Sequence, residues 1–433
     1  MASSKCPPPG SSPRKRVDLQ GKATKTESAD ERLSYTSEFE VPDLWPNSVG
    51  TCSPVEWDPG SWNRETSFQD QAKMLLSKNV SNNAMETRWL ITFLHLHQGI
   101  ENTRYERVDN RMDVGETRMD AALFFERRSA EQSYSDVGAV IECKLQKQKR
   151  LSGAGSQLIR AVGLVFSKQF RLFVWGVSVF SHEDKDNQVK HKYKLHLYTR
   201  SGVLHSKEHT LATEFQRFCN LLVGFAKMTP AQHGWYLVPR PAEGPAFPID
   251  PPTTPANFER LPTLHIPGYD ETLGLSYVLK ARSGIDGRAT LVLLGLTPEG
   301  ESRVVKLTWL GEYRAQRYRR VLEYIKKKTR IPGVPDALYF DNLGQNKDNE
   351  GAERYSTREL VKFAAGLSAD ALLNQGDFLD RRLLCVITNR PGVTIAKELS
   401  LERVFRTCAE VVERECVLLI YPNFAFKLSN KYN

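Results

Sequence analysis

A carboxylate before one apolar stretch and a Glu-x-Lys pair inside the next are the residues best suited to chemistry. Asp120 precedes the apolar stretch 121–125, and Glu142 and Lys144 interrupt the apolar stretch 137–145. Successive side chains of a β-strand point to opposite faces, so Glu142 and Lys144 would share one face. Burying either charge alone costs roughly several kcal/mol, so the pair needs mutual contact, a metal ion or an open cleft.

This arrangement predicts a metal-dependent phosphodiesterase site. Asp120 and Glu142 would bind a hard cation such as Mg²⁺ through oxygen, and the cation would activate a water molecule and neutralise phosphate charge. Lys144 would orient that water or stabilise the developing negative charge. Gln157, on the first turn of the helix predicted to follow, would face the same cleft. A surface ion pair on an edge strand is the alternative explanation of the Glu-x-Lys pair.

The composition is that of an ordinary globular chain with basic character. Of the 433 residues, 40% are hydrophobic and 26% charged, and the net charge is +9. This balance favours DNA as a partner without requiring it. Seven scattered cysteines with no Cys-x-x-Cys pair argue against a disulfide scaffold or a zinc site, and they favour an intracellular location. No apolar run is long enough to cross a membrane, so no membrane partner is expected.

The chain divides into four predicted segments. Residues 1–60 are poor in aliphatic side chains and are expected to form a disordered basic tail. Its cluster at 13–16 matches a nuclear import signal, although such short clusters are common by chance. Residues 61–237 alternate predicted helices and strands, which indicates an α/β (α+β) unit with one mixed sheet covered by helices. The proline-rich stretch 238–262 predicts a stiff linker, and 263–433 form the second unit.

The second unit has the order of a protein-kinase N-lobe. A glycine-bearing strand, a turn, a strand containing Lys306 and a helix carrying Glu323 follow one another. Lys306 would bind the phosphates of ATP and pair with Glu323. Of the three glycines of a kinase phosphate-binding loop, only Gly287 is matched. An ordinary hairpin followed by a basic helix is the alternative.

From about residue 118 to 413, the chain resembles the fungal-type protein kinase family. The resemblance is carried by Glu-Cys-Lys at 142–144, Arg-Leu-Phe-Val-Trp-Gly at 171–176, Tyr-Thr-Arg-Ser-Gly-Val at 198–203, Gly-Arg-Ala-Thr at 287–290, Val-Val-Lys at 304–306 and Ile-Pro-Gly-Val-Pro at 331–335. In such chains the N-terminal part resembles a PD-(D/E)XK restriction-endonuclease-like domain, and the C-terminal part resembles a Ser/Thr kinase. The resemblance places Asp120, Glu142, Lys144 and Gln157 on the nuclease pattern. It places Gly287, Lys306 and Glu323 on the kinase pattern.

The resemblance implies a Mg²⁺-dependent DNA nuclease unit followed by an ATP-binding, kinase-like unit. Met119 stands where the nuclease pattern usually has proline. No His-Arg-Asp and no Asp-Phe-Gly occurs where a kinase C-lobe needs them, so we expect no phosphotransfer and a chain truncated before the catalytic loop. Two alternatives stay open: a fragment of an active Ser/Thr kinase, or a non-catalytic module that binds nucleic acid or a protein partner.

Overall fold

The computed structural model places two β-sheets and the helices packed on them. It describes residues 38–40, 44–46, 103–107, 119–125, 133–144, 151–183, 189–211, 213–235, 258, 261–264, 266, 268–280, 285, 288–327, 337–343, 355–367 and 378–389. The basic cluster at 13–16, Gly287 and most of the proline-rich stretch lie outside the described residues.

The first sheet has eight strands. They are β1 (Glu38–Glu40), β2 (Thr103–Arg107), β3 (Ala121–Phe125), β4 (Val137–Lys144), β5 (Phe173–Glu183), β6 (Val189–Thr199), β7 (Gly202–His205) and β8 (His209–Thr210). Their order is β1-β7-β6-β5-β4-β3-β2, and β8 also pairs with β6. Strands β4 and β5 are parallel neighbours, and helix α1 (Leu151–Lys168) makes the crossover that such a pair requires. Helix α2 (Phe215–Lys227) follows β8.

Both faces of the first sheet are covered, because its central strands are apolar on both sides. On one face, Val140 belongs to an apolar cluster with residues of α1 at helical spacing, including Leu158 and Val162. On the other face, Ile141 and Cys143 belong to the largest cluster of the protein. Residue Glu142 therefore falls on the face that α1 covers.

The second sheet has six strands, all paired antiparallel. They are β9 (Thr263–Leu264), β10 (Leu273–Lys280), β11 (Leu291–Leu296), β12 (Ser302–Gly311), β13 (Ala337–Asn342) and β14 (Arg381–Thr388). The order is β13-β14-β12-β11-β10-β9. Helix α3 (Glu312–Lys327) starts directly after β12, and helix α4 (Thr357–Ala365) lies between β13 and β14 in sequence.

The alternation along β12 separates two environments. Val305 and Leu307 belong to the largest apolar cluster, while Leu310 packs with Ala315 of α3 in a smaller one. Lys306 therefore falls on the face that α3 covers.

The two sheets share one apolar core. The largest cluster contains Trp175 of the first sheet together with Leu293 of the second. Helix α4 helps to join them, because the Phe363 ring lies 6.5 Å from the Phe173 ring. Ser201, in the turn after β6, donates a hydrogen bond from its hydroxyl to the carbonyl oxygen of Leu379 at 2.6 Å.

The predicted α+β class is confirmed. Two short pieces of the N-terminal segment contact the first sheet or its core: β1 pairs with β7, and Leu44 is buried. Nearby, the Arg217 guanidinium lies 4.2 Å from the ring centre of Trp45. Every helix within the described ranges is too short or too polar to span a membrane.

Candidate functional site

The Asp120 carboxylate is fixed beside the backbone of β4. The register of β3 and β4 pairs Ala121 with Ile141, which brings Asp120, the residue before β3, level with Glu142. Oδ2 of Asp120 accepts a hydrogen bond of 2.7 Å from the backbone N–H of Cys143. Since Cys143 directly follows Glu142, the structure brings the two predicted metal-binding residues together.

Glu142 is fully buried, with 0% of its surface exposed. Its strand, β4, is an interior strand between β3 and β5. The alternative of a surface ion pair on an edge strand is therefore wrong for Glu142. Lys144 ends β4 two positions later, and its side chain lies outside the described part of the chain.

Gln157 lies on α1 immediately before Leu158, whose side chain packs against the same sheet face as Val140. Its Oε1 atom is buried and has no hydrogen-bond partner among the described residues. An amide oxygen can accept hydrogen bonds, so Gln157 Oε1 can accept one from a bound molecule. This is the chemistry expected of a residue that supports a hydrated cation.

A row of polar residues that was not predicted from the sequence continues from Glu142 onto two further strands. The register pairs Glu142 with Ser178 on β5 and Ser178 with Lys194 on β6. Ser178 Oγ lies 2.8 Å from Nε2 of His196. Burial, helped by the charges of His205 and Lys194, lowers the pKa of His196 to about 3, so its imidazole is neutral at physiological pH. The available signal was polar side chains at alternate positions of otherwise apolar strands.

The start of β4 is held in place by two buried side chains from the segment between α1 and β5. Arg171 donates hydrogen bonds to the carbonyl oxygens of Val137 at 3.2 Å and Gly138 at 2.7 Å. Gln169 donates to the carbonyl oxygens of Tyr134 at 2.5 Å and Val137 at 2.9 Å. Complete burial lowers the pKa of Arg171 to about 9. These bonds orient the strand that carries Glu142.

A second candidate site lies between the second sheet and α3. A cavity of about 490 Å³ is lined by four cationic residues, Arg288, Lys306, Arg314 and Arg317, and by no acidic residue among those described. Lys306 Nζ lies 3.4 Å from the hydroxyl oxygen of Tyr318. Because the four positive charges face one cavity and no described lining residue is a carboxylate, the cavity favours the binding of an anion.

Glu323 is not the partner of Lys306 within the described residues. Oε1 of Glu323 accepts a hydrogen bond of 3.1 Å from Nε of Arg319, one helical turn earlier. Arg319 also bonds to Asp341 on β13 at 3.3 Å. The predicted Lys306–Glu323 ion pair is therefore replaced by a network on another part of α3.

The model of one protein family, described as fungal protein kinase, matches residues 118–366. The chain belongs to the fungal protein kinase family. No curated protein and no solved structure gives a significant match. The family match begins two residues before Asp120 and ends at Gly366, directly after α4. It therefore includes residues of both sheets, with Glu142 on the first and Lys306 on the second.

Membership in the fungal protein kinase family implies the use of ATP and Mg²⁺ in general. Within the described ranges, no three His, Cys, Asp or Glu side chains are grouped as a complete metal site. Asp120 and Glu142 supply two carboxylates, which suits Mg²⁺ better than zinc, because Mg²⁺ usually keeps several waters and takes only one or two carboxylates.

Proposed function

We propose that the first sheet carries a Mg²⁺-dependent phosphodiesterase site that acts on DNA. The observation that supports it best is the 2.7 Å hydrogen bond from Cys143 N–H to Asp120, which fixes one carboxylate beside the buried Glu142. Restricting the Asp120 carboxylate before ligand binding reduces the ordering cost at the moment of binding. Strands β3 and β4, helix α1 and the parallel strand β5 follow one another in the order strand, strand, helix, strand that the sequence predicts.

The chemistry of the donor set fits a divalent cation. Asp120 and Glu142 would hold the ion, which supplies a lowered pKa for bound water and positive charge next to the phosphate. The chain itself excludes competing water at Glu142 through burial against α1. Gln157 would accept a hydrogen bond from a bound water through its buried Oε1, and Lys144 would stabilise negative charge on the phosphate.

The direct test is cleavage of supercoiled plasmid DNA by purified wild type and Glu142→Gln, with Mg²⁺ or with EDTA. We expect Mg²⁺-dependent nicking that falls about 100-fold or more in the variant, because one of the two anionic ligands is lost. Lys306→Ala, on the other sheet, is the matched control and should cleave as the wild type does. Equal cleavage by wild type and Glu142→Gln, or no cleavage by either, refutes this function.

A second function is supported by the cationic cavity of the second sheet: binding of the phosphates of ATP. Lys306 lies on an interior strand and faces α3, which adds Arg314 and Arg317 to the cavity wall. Several cations around one cavity stabilise a polyphosphate by charge-assisted hydrogen bonds. Since the chain has no His-Arg-Asp segment, we propose binding without phosphotransfer.

This second function is tested by titrating a fluorescent ATP analogue in the presence of Mg²⁺. Lys306→Met should weaken binding about tenfold, in keeping with the loss of a charged hydrogen bond. Arg320→Gln removes an exposed charge from the same helix and should leave affinity unchanged. Glu323→Gln distinguishes the kinase-like pairing, since a loss of affinity would show that Glu323 supports the nucleotide despite its bond to Arg319. Autophosphorylation that disappears in Lys306→Ala would contradict binding without transfer.

A further inference from the structure

The polar row beside the carboxylates ends in a buried lysine. Lys194 has only 9% of its surface exposed, although it lies on a strand whose neighbouring positions are apolar. It falls on the same sheet face as Glu142, because Tyr198, four residues later on β6, belongs to the cluster packed on α1. A lysine is rarely buried to this extent unless its charge is paired, so the anions near its ammonium group decide its role.

The register sets its distance from the carboxylates. Glu142, Ser178 and Lys194 occupy directly neighbouring positions on three adjacent strands. Adjacent strands are about 4.8 Å apart, so roughly 10 Å separates the backbone of Glu142 from that of Lys194. The Lys194 ammonium group lies beside Glu208, on the edge of β6 away from β5, so it is roughly 10 Å or more from Glu142 and suits a phosphate farther along the backbone than one held at the carboxylates.

The charges around Lys194 are unbalanced in favour of an anion. Lys194 Nζ lies 3.7 Å from Oε1 of Glu208, and Lys192 Nζ lies 2.8 Å from Oε2 of the same carboxylate. One acidic side chain thus serves two lysines of β6. Ser178, on the strand between Lys194 and Glu142, shares a hydrogen bond with His196 of β6, and this pair adds no charge because the His196 imidazole stays unprotonated.

We propose that Lys194 and Lys192 form a second phosphate-binding position, which holds the backbone of duplex DNA on β6 beside the carboxylates of β3 and β4. This inference rests on the proposed phosphodiesterase function for its choice of ligand. It extends that site from two strands to four, so the bound DNA backbone would run across the sheet from β3 to β6. Glu208 positions the two ammonium groups and does not contact the phosphate.

The experiment measures binding of a fluorescent DNA duplex in EDTA at several salt concentrations, so that no cleavage is needed. Each lysine–phosphate contact releases about 0.9 counterion, so Lys194→Gln should reduce the slope of log affinity against log salt by about 0.9. Affinity at low salt should fall about tenfold. Lys207→Gln removes an exposed charge next to Glu208 and should leave the slope unchanged.

An unchanged slope in Lys194→Gln, or no binding of the duplex by the wild type, overturns this inference. Lys192 is more exposed, with 20% of its side-chain surface accessible, so Lys192→Gln carries the same test if Lys194→Gln does not fold. Its slope should also fall by about 0.9, and an unchanged slope would likewise refute the second phosphate position. Plasmid cleavage tests the phosphodiesterase separately: cleavage with unchanged slopes refutes only the second position, and reduced slopes without cleavage refute only the hydrolysis.

Discussion

The carboxylate of Asp120 accepts a hydrogen bond from the backbone N–H of Cys143, at 2.7 Å, across the start of β3 and the end of β4. This bond does two things at once: it caps the end of the strand pair and it orients an acidic group beside Glu142. The two roles can be separated by substitution, because an amide oxygen can accept the same bond but carries no charge.

We predict that Asp120→Asn keeps the fold and loses metal-dependent DNA cleavage. The carboxamide oxygen still accepts from Cys143 N–H, so the free energy of unfolding in urea should change by less than about 1 kcal/mol. Asp120→Ala removes the acceptor and should cost about 1–2 kcal/mol. Cleavage should disappear in both variants. An active Asp120→Asn would show that the carboxylate serves only to cap the strands.

The placement of Asp120 beside Glu142 could be predicted from sequence, because alternate residues of a strand share one face of the sheet. The types and spacing of Asp120, Glu142 and Gln157 predict a shared site, and the structure brings the first two together. The predicted ion pair between Lys306 and Glu323 does not form in the structure. Arg319, four residues before Glu323 on the same helix, is the partner of Glu323 instead, because side chains at this spacing lie next to each other. Residue spacing thus predicts the helix face on which Glu323 lies, but it does not predict which nearby cation pairs with it.

The polar row on β5 and β6 could not be predicted, because it depends on register between strands distant in sequence. Ser178 is an isolated polar residue in an apolar stretch, and the alternation of Lys192 and Lys194 is also typical of the exposed face of a strand. Only the pairing of β4 with β5 and of β5 with β6 aligns them with Glu142. Strand β13 was also missed, because its half-exposed residues give a weak pattern.

Arg171 is predicted to stabilise the fold by satisfying a buried carbonyl of β4. Arg171→Met keeps much of the side-chain volume but leaves the Gly138 carbonyl oxygen without this donor, whereas Val137 keeps its bond from Gln169. The expected loss is about 1–3 kcal/mol, the usual cost of an unsatisfied buried acceptor. Thermal unfolding measures it, with Lys168→Met at the end of α1 as the control. A variant as stable as the wild type would mean that the desolvation cost of the buried guanidinium cancels its hydrogen bonds.

His196 is predicted to lower the free energy of unfolding as the pH falls below about 6.5. Its pKa is about 3 in the folded protein, mainly because of burial, against an ordinary value of about 6.5 in the unfolded chain. Between these values the unfolded state binds a proton that the folded state does not, so stability falls as pH drops from about 6.5 towards 3. The slope from this one residue is about 1.4 kcal/mol per pH unit.

His196→Gln removes the titrating group and keeps a polar partner for Ser178. Urea unfolding of wild type and variant at pH 7 and pH 5 gives the comparison, and contributions from other groups cancel in the difference. The variant should lose less stability on acidification than the wild type. Parallel losses would mean that His196 is protonated in the folded protein at pH 5.

The two sheets are predicted to unfold together, because the residues that join them belong to one core. Ser201 Oγ donates to the carbonyl oxygen of Leu379 and lies 2.7 Å from the Thr357 hydroxyl oxygen. One side chain therefore connects the turn after β6 to the start of α4 and to the residue two positions before β14. Ser201→Ala should therefore lower the free energy of unfolding by about 1 kcal/mol. Hydrogen exchange of β6 and β12, followed by mass spectrometry, should show the same loss in both strands, while Thr213→Ala on the surface should change neither. Faster exchange of β12 alone would show that the second sheet opens independently of the first.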